Sequence, residues 1–436
     1  MFPISLMLLP FPFVAAERRA SRGKAAKNPG RPLRVVSLPR EVKPEVTRVS
    51  RLKPGAPSGA TRRTRAAGPV PLLSRRELNR ALLQRQFLME RTPLGVPEVV
   101  EHLVGLQAQA SNPPYIGLWT RMARFELEDL TRLYTSRRVV RATLMRGTQH
   151  LVTARDFRGL RPMLQPVMDR AFQQSPYARA LSGMELAEVV AEGRRLLAVE
   201  PLSNVELGRR LQARWPERNA RALCFAVRNA ESLVTVPPFG TWGVGGEVEF
   251  TRAETWLGGS MGPAFPEDEV VLRYLRAFGP ASVKDVQTWS GLRGVAEVVA
   301  RLGTRVRTFR DERGAELFDV PEAPRPDGDT PVPVRFLPEF DNVLLAYADR
   351  ARIISEEHRR RVFTINGIVR ATVLVDGFVR GMWRVEREKT RATLCIEPFA
   401  SISRADRVAL TDEGLRLLAC VASSVPTHDV RFARVS

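Results

Sequence analysis

Residues 104 to 119 read VGLQAQASNPPYIGLW, with Gln107 and Gln109 one residue apart where an apolar pattern ends and the Pro113-Pro114 turn begins. Glutamine is a poor nucleophile, a negligible base and a weak core residue. What a pair of them can do depends on how the backbone aims them. On an α-helix, residues i and i+2 point roughly 200° apart and cannot hold one small molecule between them. On extended backbone they share a side. Gly105 is a credible residue to end a helix. Two local readings stay open. In one, the helix stops near Gly105 and both amides face one way. In the other it runs to Ala110, Gln107 caps the apolar stripe and Gln109 is solvated. Composition alone favours the second.

Other polar candidates cluster nearby. Arg141, Arg146 and His150 sit in RATLMRGTQHLV, an alternating apolar-polar run broken by Gly147, the signature of a basic hairpin. The arginines are candidate phosphate contacts, against a simple solvated face. His150 is a candidate contact of the same kind, or a strand histidine satisfied by a neighbour. Asn112 either lines a pocket or forms an Asx-turn before the prolines. Asp341, Asn342 and Arg350 in EFDNVLLAYADR read as structural, and Trp119, Trp242 and Trp289 as core.

These residues belong to a chain of 436 amino acids with a net charge of +21 and a pI near 11.1. Such a surplus points to a polyanionic partner, DNA, RNA or an anionic membrane surface. Its bias to Arg over Lys suits bidentate phosphate or guanine contacts, and equally a GC-rich coding sequence. Apolar residues make up 44%, enough for buried cores. Cys224, Cys395 and Cys420 are far apart, and His102, His150, His358 and His428 form no HExxH or cluster. No metal site, disulfide framework, cofactor or nucleotide loop is expected.

Residues 1 to 73 stand apart. An apolar start, MFPISLMLLPFPFVAA, is too short and Pro-interrupted to span a membrane. A basic tail follows. Residues 1 to 74 hold 15 Lys/Arg against 3 Asp/Glu, about half of the net charge. The segment reads as disordered. A start codon placed too early, a nucleic-acid-binding tail and a secretion signal compete to explain it.

From Ser74 the texture becomes helical. Ser74 is a candidate N-cap, Pro97 opens a second helix, and helices around YIGLWTRMARF and LEDLTRLYTSR precede the basic hairpin. Helix, turn, helix and hairpin recur from Met184, with Ser203 and Asn204 as cap signal and a Gly-rich hairpin. They recur again from Glu267, with Ser282 as cap, Gly291 as stop and TRVRTFRDERGAELFDV as hairpin. The copies share architecture, not sequence. After a Pro/Asp/Gly linker at 322 to 333 the period becomes 2, with turns at Asn366-Gly367 and Asp376-Gly377. A closing helix and a last strand follow. The expected class is α+β: three tandem winged helix-turn-helix units (74–160, 161–262, 263–322) and a β-barrel-like antiparallel module with a closing helix (333–436).

Three winged helices before a β-rich module, carrying LVGLQAQ, RATLMRGTQHLV, FGPASVKDVQTWSGL and FLPEFDNVLLAYADR in that order, resemble the AlkZ/YcaQ-type winged-helix DNA glycosylases. The likeness covers roughly residues 74 to 436. It implies that Gln107 and Gln109 are the catalytic Gln-x-Gln, the second position being Asp in the YcaQ branch. It also implies a partner, double-stranded DNA carrying alkylated bases, for which Arg141, Arg146, His150 and Asn112 are the candidate contacts. An N7-alkylguanine is already cationic and leaves without a strong acid. Amide carbonyls that orient a water beneath C1′ then suffice. An unmodified base would call for a carboxylate or an acid. No lysine near the motif supports a Schiff base. The expectation is a monomeric, cofactor-free, monofunctional glycosylase, cytoplasmic and nucleoid-associated, with no membrane role and with interstrand crosslinks among its substrates. The competing class is a non-catalytic winged-helix DNA-binding protein, a regulator or lesion-shielding factor.

Overall fold

The computed structural model describes residues 70 to 435. The readings made for residues 1 to 69 lie outside it. The class is mixed α+β, with sheets of six, five and three strands.

Local chemistry sets the helix ends as the sequence predicts. Ser74 caps helix Arg75–Arg85, its hydroxyl accepting from Glu77 N while Glu77 Oε2 accepts from Ser74 N at 2.7 Å. Ser203 caps Asn204–Arg214. Ser282 and Asp285 form a capping box on Val283–Ser290, which stops at left-handed Gly291. Each expected hairpin exists: Val139–Thr143 with Gln149–Thr153, Leu233–Thr235 with Glu249–Arg252, and Arg307–Asp311 with Glu316–Asp319.

The hairpins do not stay separate. Strand Val139–Thr143 pairs with Leu233–Thr235, Arg141 opposite Thr235 and Ala142 opposite Val234. The first two hairpins thus fuse into the six-stranded sheet, whose far edges are Leu106–Gln107 and Leu202–Ser203. The segment 202–252 therefore builds one sheet with 106–153. The largest apolar cluster runs from Leu82 to Phe399 and binds the first hairpin, helix Glu267–Phe278 and the C-terminal sheet into one core.

The C-terminal module is an open five-stranded sheet, not a closed barrel: its edges, Arg335–Leu337 and Thr427–Phe432, do not pair. Asp376 and Gly377, both at positive φ, make the expected tight turn between Thr372–Val375 and Phe378–Arg387. The Asn366-Gly367 turn closes only an isolated Phe363–Val369 bridge. The last strand runs parallel to Arg391–Pro398, because helix Arg404–Val421 carries the chain back across the sheet.

Helix Arg75–Arg85 ties distant segments together. Arg85 forms a buried, two-pronged ion pair with Asp319 at 2.7 and 2.8 Å. Asn79 donates to the carbonyls of Arg352 and Gly377. Arg80 holds the linker through Thr330 O. Among the described residues no helix is long and apolar enough to cross a membrane.

Candidate active site

Helix Val96–His102 ends three residues before Gly105. Val104 (φ 54) and Gly105 (φ 92) then take left-handed backbone. For a β-branched residue this costs about 1–2 kcal/mol, and Val104 is fully buried. A Cβ on Gly105 would lie 2.6 Å from Val152 Cγ1 and 3.0 Å from Leu151 O. The double reversal throws the chain directly into strand Leu106–Gln107, so Gln107 sits on extended backbone and the helix does not reach it.

That strand is the edge of the six-stranded sheet. On one side Gln107 faces His150 across an antiparallel pair. On the other, where a further strand would lie, the Asn342 side chain does a strand's work. Its Nδ2 donates to Gly105 O at 2.7 Å and its Oδ1 accepts from Gln107 N at 3.3 Å. Asn342 is held in turn by its neighbour. Asp341 makes a buried two-pronged pair with Arg121 at 2.8 and 2.9 Å and caps Val343 N.

The Gln107 amide is oriented by charge. Arg146 Nη2 donates to its Oε1 at 2.7 Å, and Nη1 donates to Trp289 O at 2.9 Å. Because a guanidinium only donates, the amide oxygen faces Arg146. One oxygen lone pair and the NH2 group are left for other partners. Burial, and then the nearby charge of Arg350, lower the Arg146 guanidinium to about 10, still cationic at neutral pH. His150 lies beside it, 2% exposed, with Nε2 3.5 Å from Arg146 Nη2 and Nδ1 2.9 Å from Thr148 O. A carbonyl only accepts, so Nδ1 carries the proton and Nε2 offers its lone pair to Arg146. Burial, and then the charge of Arg146, push this imidazole down to about 3. It is neutral across the working pH range.

Gln107 opens on a narrow cleft walled by Leu106, Pro113, Pro114 and the segment 338–342. The family model of the AlkZ-like DNA glycosylases matches residues 100 to 420.

The chain belongs to this DNA glycosylase family.

It is 26% identical over 372 residues to an interstrand DNA cross-link repair glycosylase of Streptomyces sahachiroi, over 80% of this chain and 96% of that protein. The solved structure of Streptomyces sahachiroi DNA glycosylase AlkZ superposes with a TM-score of 0.68, at 22% identity, covering 83% of this chain and all of the other, so the fold is shared.

The sequence candidates fare differently within this glycosylase. Gln107, Arg146 and His150 come together. Gln109 is adjacent but outside the cleft lining, its Oε1 accepting from Gln149 N at 3.1 Å. The two amide oxygens thus have different partners, Arg146 for Gln107 and the Gln149 backbone for Gln109. Strand geometry ends at Gln107 and the chain bends at Gln109. Arg141 is 1% exposed. Its guanidinium donates to the carbonyls of Ala108, Ala110 and Ser111. It braces the loop behind the glutamines and has no face for a phosphate. Arg146 and His150 are likewise turned inward. Asn112 makes no Asx-turn; its Oδ1 accepts from Gly243 N at 2.8 Å. With Ser111, which bonds Val244 O and Gly240 N, it fastens the Gly-rich loop of the second hairpin. Trp119 and Trp289 are core residues as expected, and Trp242 packs partly buried against two apolar clusters.

Sequence reasoning missed Asn342 as the partner of the glutamine strand. The only signal was the FLPEFDNV motif, 235 residues downstream of Gln107, with nothing local to connect the two.

Proposed function

We propose that this glycosylase hydrolyses the N-glycosidic bond of N7-alkylguanine-type bases in double-stranded DNA, interstrand crosslinks included. It would act as a monomer in the cytoplasm, at the nucleoid. One observation carries the reading: the helix stops before Leu106, so Gln107 reaches a cleft with its amide held by Arg146. A cationic base leaves by itself once the sugar can become oxocarbenium-like, so the protein's task is to hold a water at C1′. Gln107 can do so with its remaining lone pair and its NH2 group. Gln109, whose NH2 has no hydrogen-bond partner among the described residues, is suited to meet the deoxyribose or phosphate alongside. The relative from Streptomyces sahachiroi, named for cross-link repair, supports the choice of lesion. The recurrence of hairpins after helices supports three winged units, fused through their sheets. Phosphate contact then falls to exposed arginines such as Arg307 and Arg310 on the third hairpin, not to Arg141.

The test is single-turnover base release from an oligonucleotide bearing one N7-methylguanine, with the wild type beside the double change Gln107→Ala and Gln109→Ala. Release by the wild type, lost in the variant while DNA affinity persists, is the expected result. No release by the wild type from this lesion or a bulkier N7 adduct, with DNA still bound, would overturn the reading.

A further inference from the structure

Four polar side chains belong to residues lining the Gln107 cleft: Gln107, Glu339, Asp341 and Asn342. Asp341 is bound to Arg121, Asn342 to the glutamine strand and the Gln107 oxygen to Arg146. The Glu339 carboxylate has no hydrogen bond and no ion pair among the described residues.

Its position is fixed from both sides. Leu337 is paired in the five-stranded sheet opposite Thr372. Phe340 is forced to φ 58, a left-handed conformation costly for a phenylalanine. Asp341 is locked in its ion pair. Pro338 and Glu339 are the two residues between these anchors, so the backbone at Glu339 is held at the cleft lining. The residue is exposed to solvent at the rim, yet burial against the surrounding protein raises its carboxyl above the usual glutamate range. An unpaired carboxylate held at a cleft beside an oriented amide has the features of an acid–base group.

We propose that Glu339 is a catalytic residue of base release, taking a proton from the water that Gln107 holds and opposing the positive charge on the deoxyribose. The proposal rests on the glycosylase reading above and supplies what amides lack, a proton acceptor. The water oxygen forms a bond to C1′ as the C1′–N9 bond breaks. The bond's electron pair goes to the base, which was cationic and leaves neutral. One water proton passes to the Glu339 carboxylate, and the sugar keeps the hydroxyl. No co-reactant beyond water is needed.

The experiment uses the full chain, wild type and Glu339→Gln, in single-turnover release from the N7-methylguanine oligonucleotide between pH 5 and 9, with DNA affinity measured in parallel. Glu339→Gln preserves shape at an exposed position, and equal melting temperatures verify the fold. The expected result is a rate at least about 100-fold below wild type, the usual worth of a positioned proton acceptor, at unchanged DNA affinity. The wild-type rate falls on acidification through one ionisation, and that limb is missing in the variant. A variant within threefold of wild type with the same pH profile overturns the proposal while leaving the glycosylase reading intact. So does a rate loss matched by an equal loss of DNA affinity, which makes Glu339 a contact only. A wild type that releases no base overturns both.

Discussion

The first and third hairpins carry similar sequence signals and end in opposite surroundings. Both follow a helix and both alternate arginines with apolar residues. In the third, Phe309 and Leu317 are buried, while Arg307 at the start of its strand and Arg310 on the face opposite Phe309 stay exposed. In the first, nearly every residue of Val139–Thr143 and Gln149–Thr153 is buried. The cause is position in a sheet. The first hairpin is central, with Leu106–Gln107 on one flank and Leu233–Thr235 on the other. Among the described residues the third gains the two-residue strand Leu72–Leu73 on one flank and a single bridge, Ala281 to Phe318, on the other. Arginine in a central strand must donate to protein groups, since water and phosphate cannot reach it. Arginine on an edge ribbon stays available to an anion. The difference shows that a basic hairpin is a nucleic-acid signal only when its sheet leaves it a free face.

The comparison breaks most sharply at Arg141. Replacing it by Ala removes three donations from a buried cation and orphans the carbonyls of Ala108, Ala110 and Ser111. The expected cost is about 3 kcal/mol, read as a lower midpoint in denaturant unfolding. An unchanged midpoint would mean that the loop does not depend on this brace.

His150 sharpens the comparison with a smaller effect, because a buried neutral histidine writes itself into the pH dependence of stability. Its folded value is about 3, against an unfolded value near 6.5. The unfolded chain therefore binds a proton that the folded chain refuses. Stability from this residue is intact above about pH 6.5 and is lost as pH falls toward 3. Between pH 7 and 5 the loss is about 2 kcal/mol. His150→Asn should flatten that part of the profile, measured by unfolding at stepped pH. His102, also lowered mainly by burial, adds a component that the variant retains.

The smallest effect on stability belongs to the third hairpin. Arg307→Ala and Arg310→Ala should each change unfolding by under about 0.5 kcal/mol. Each should weaken DNA binding and reduce the slope of log affinity against log salt by about 1. A stability loss as large as that of Arg141 would erase the contrast between the hairpins.

What the sequence made legible was local. The Ser74, Ser203 and Ser282 caps, the Gly291 stop and the Asp376-Gly377 turn each follow from side chains within four residues of the backbone they satisfy. Gly105 was legible only as a candidate end of the glutamine helix, with a helix running to Ala110 favoured by composition, and Val104 sharing the left-handed turn was not legible at all. The order of motifs was sufficient to recognise the family, because it is itself a linear property.

Tertiary structure alone decided the rest. No local signal says that Arg141 will lie opposite Thr235 and lose access to solvent, or that the last strand will dock parallel and leave the sheet open. None says that Asn342 will complete a strand 235 residues away, or that the Gln107 and Gln109 amide oxygens will take different partners. These outcomes rest on which edges of sheets meet and which polar groups then need partners. Only the closed fold fixes that choice, since hydrogen-bond donors buried far apart in sequence are satisfied by whatever the packing brings within reach.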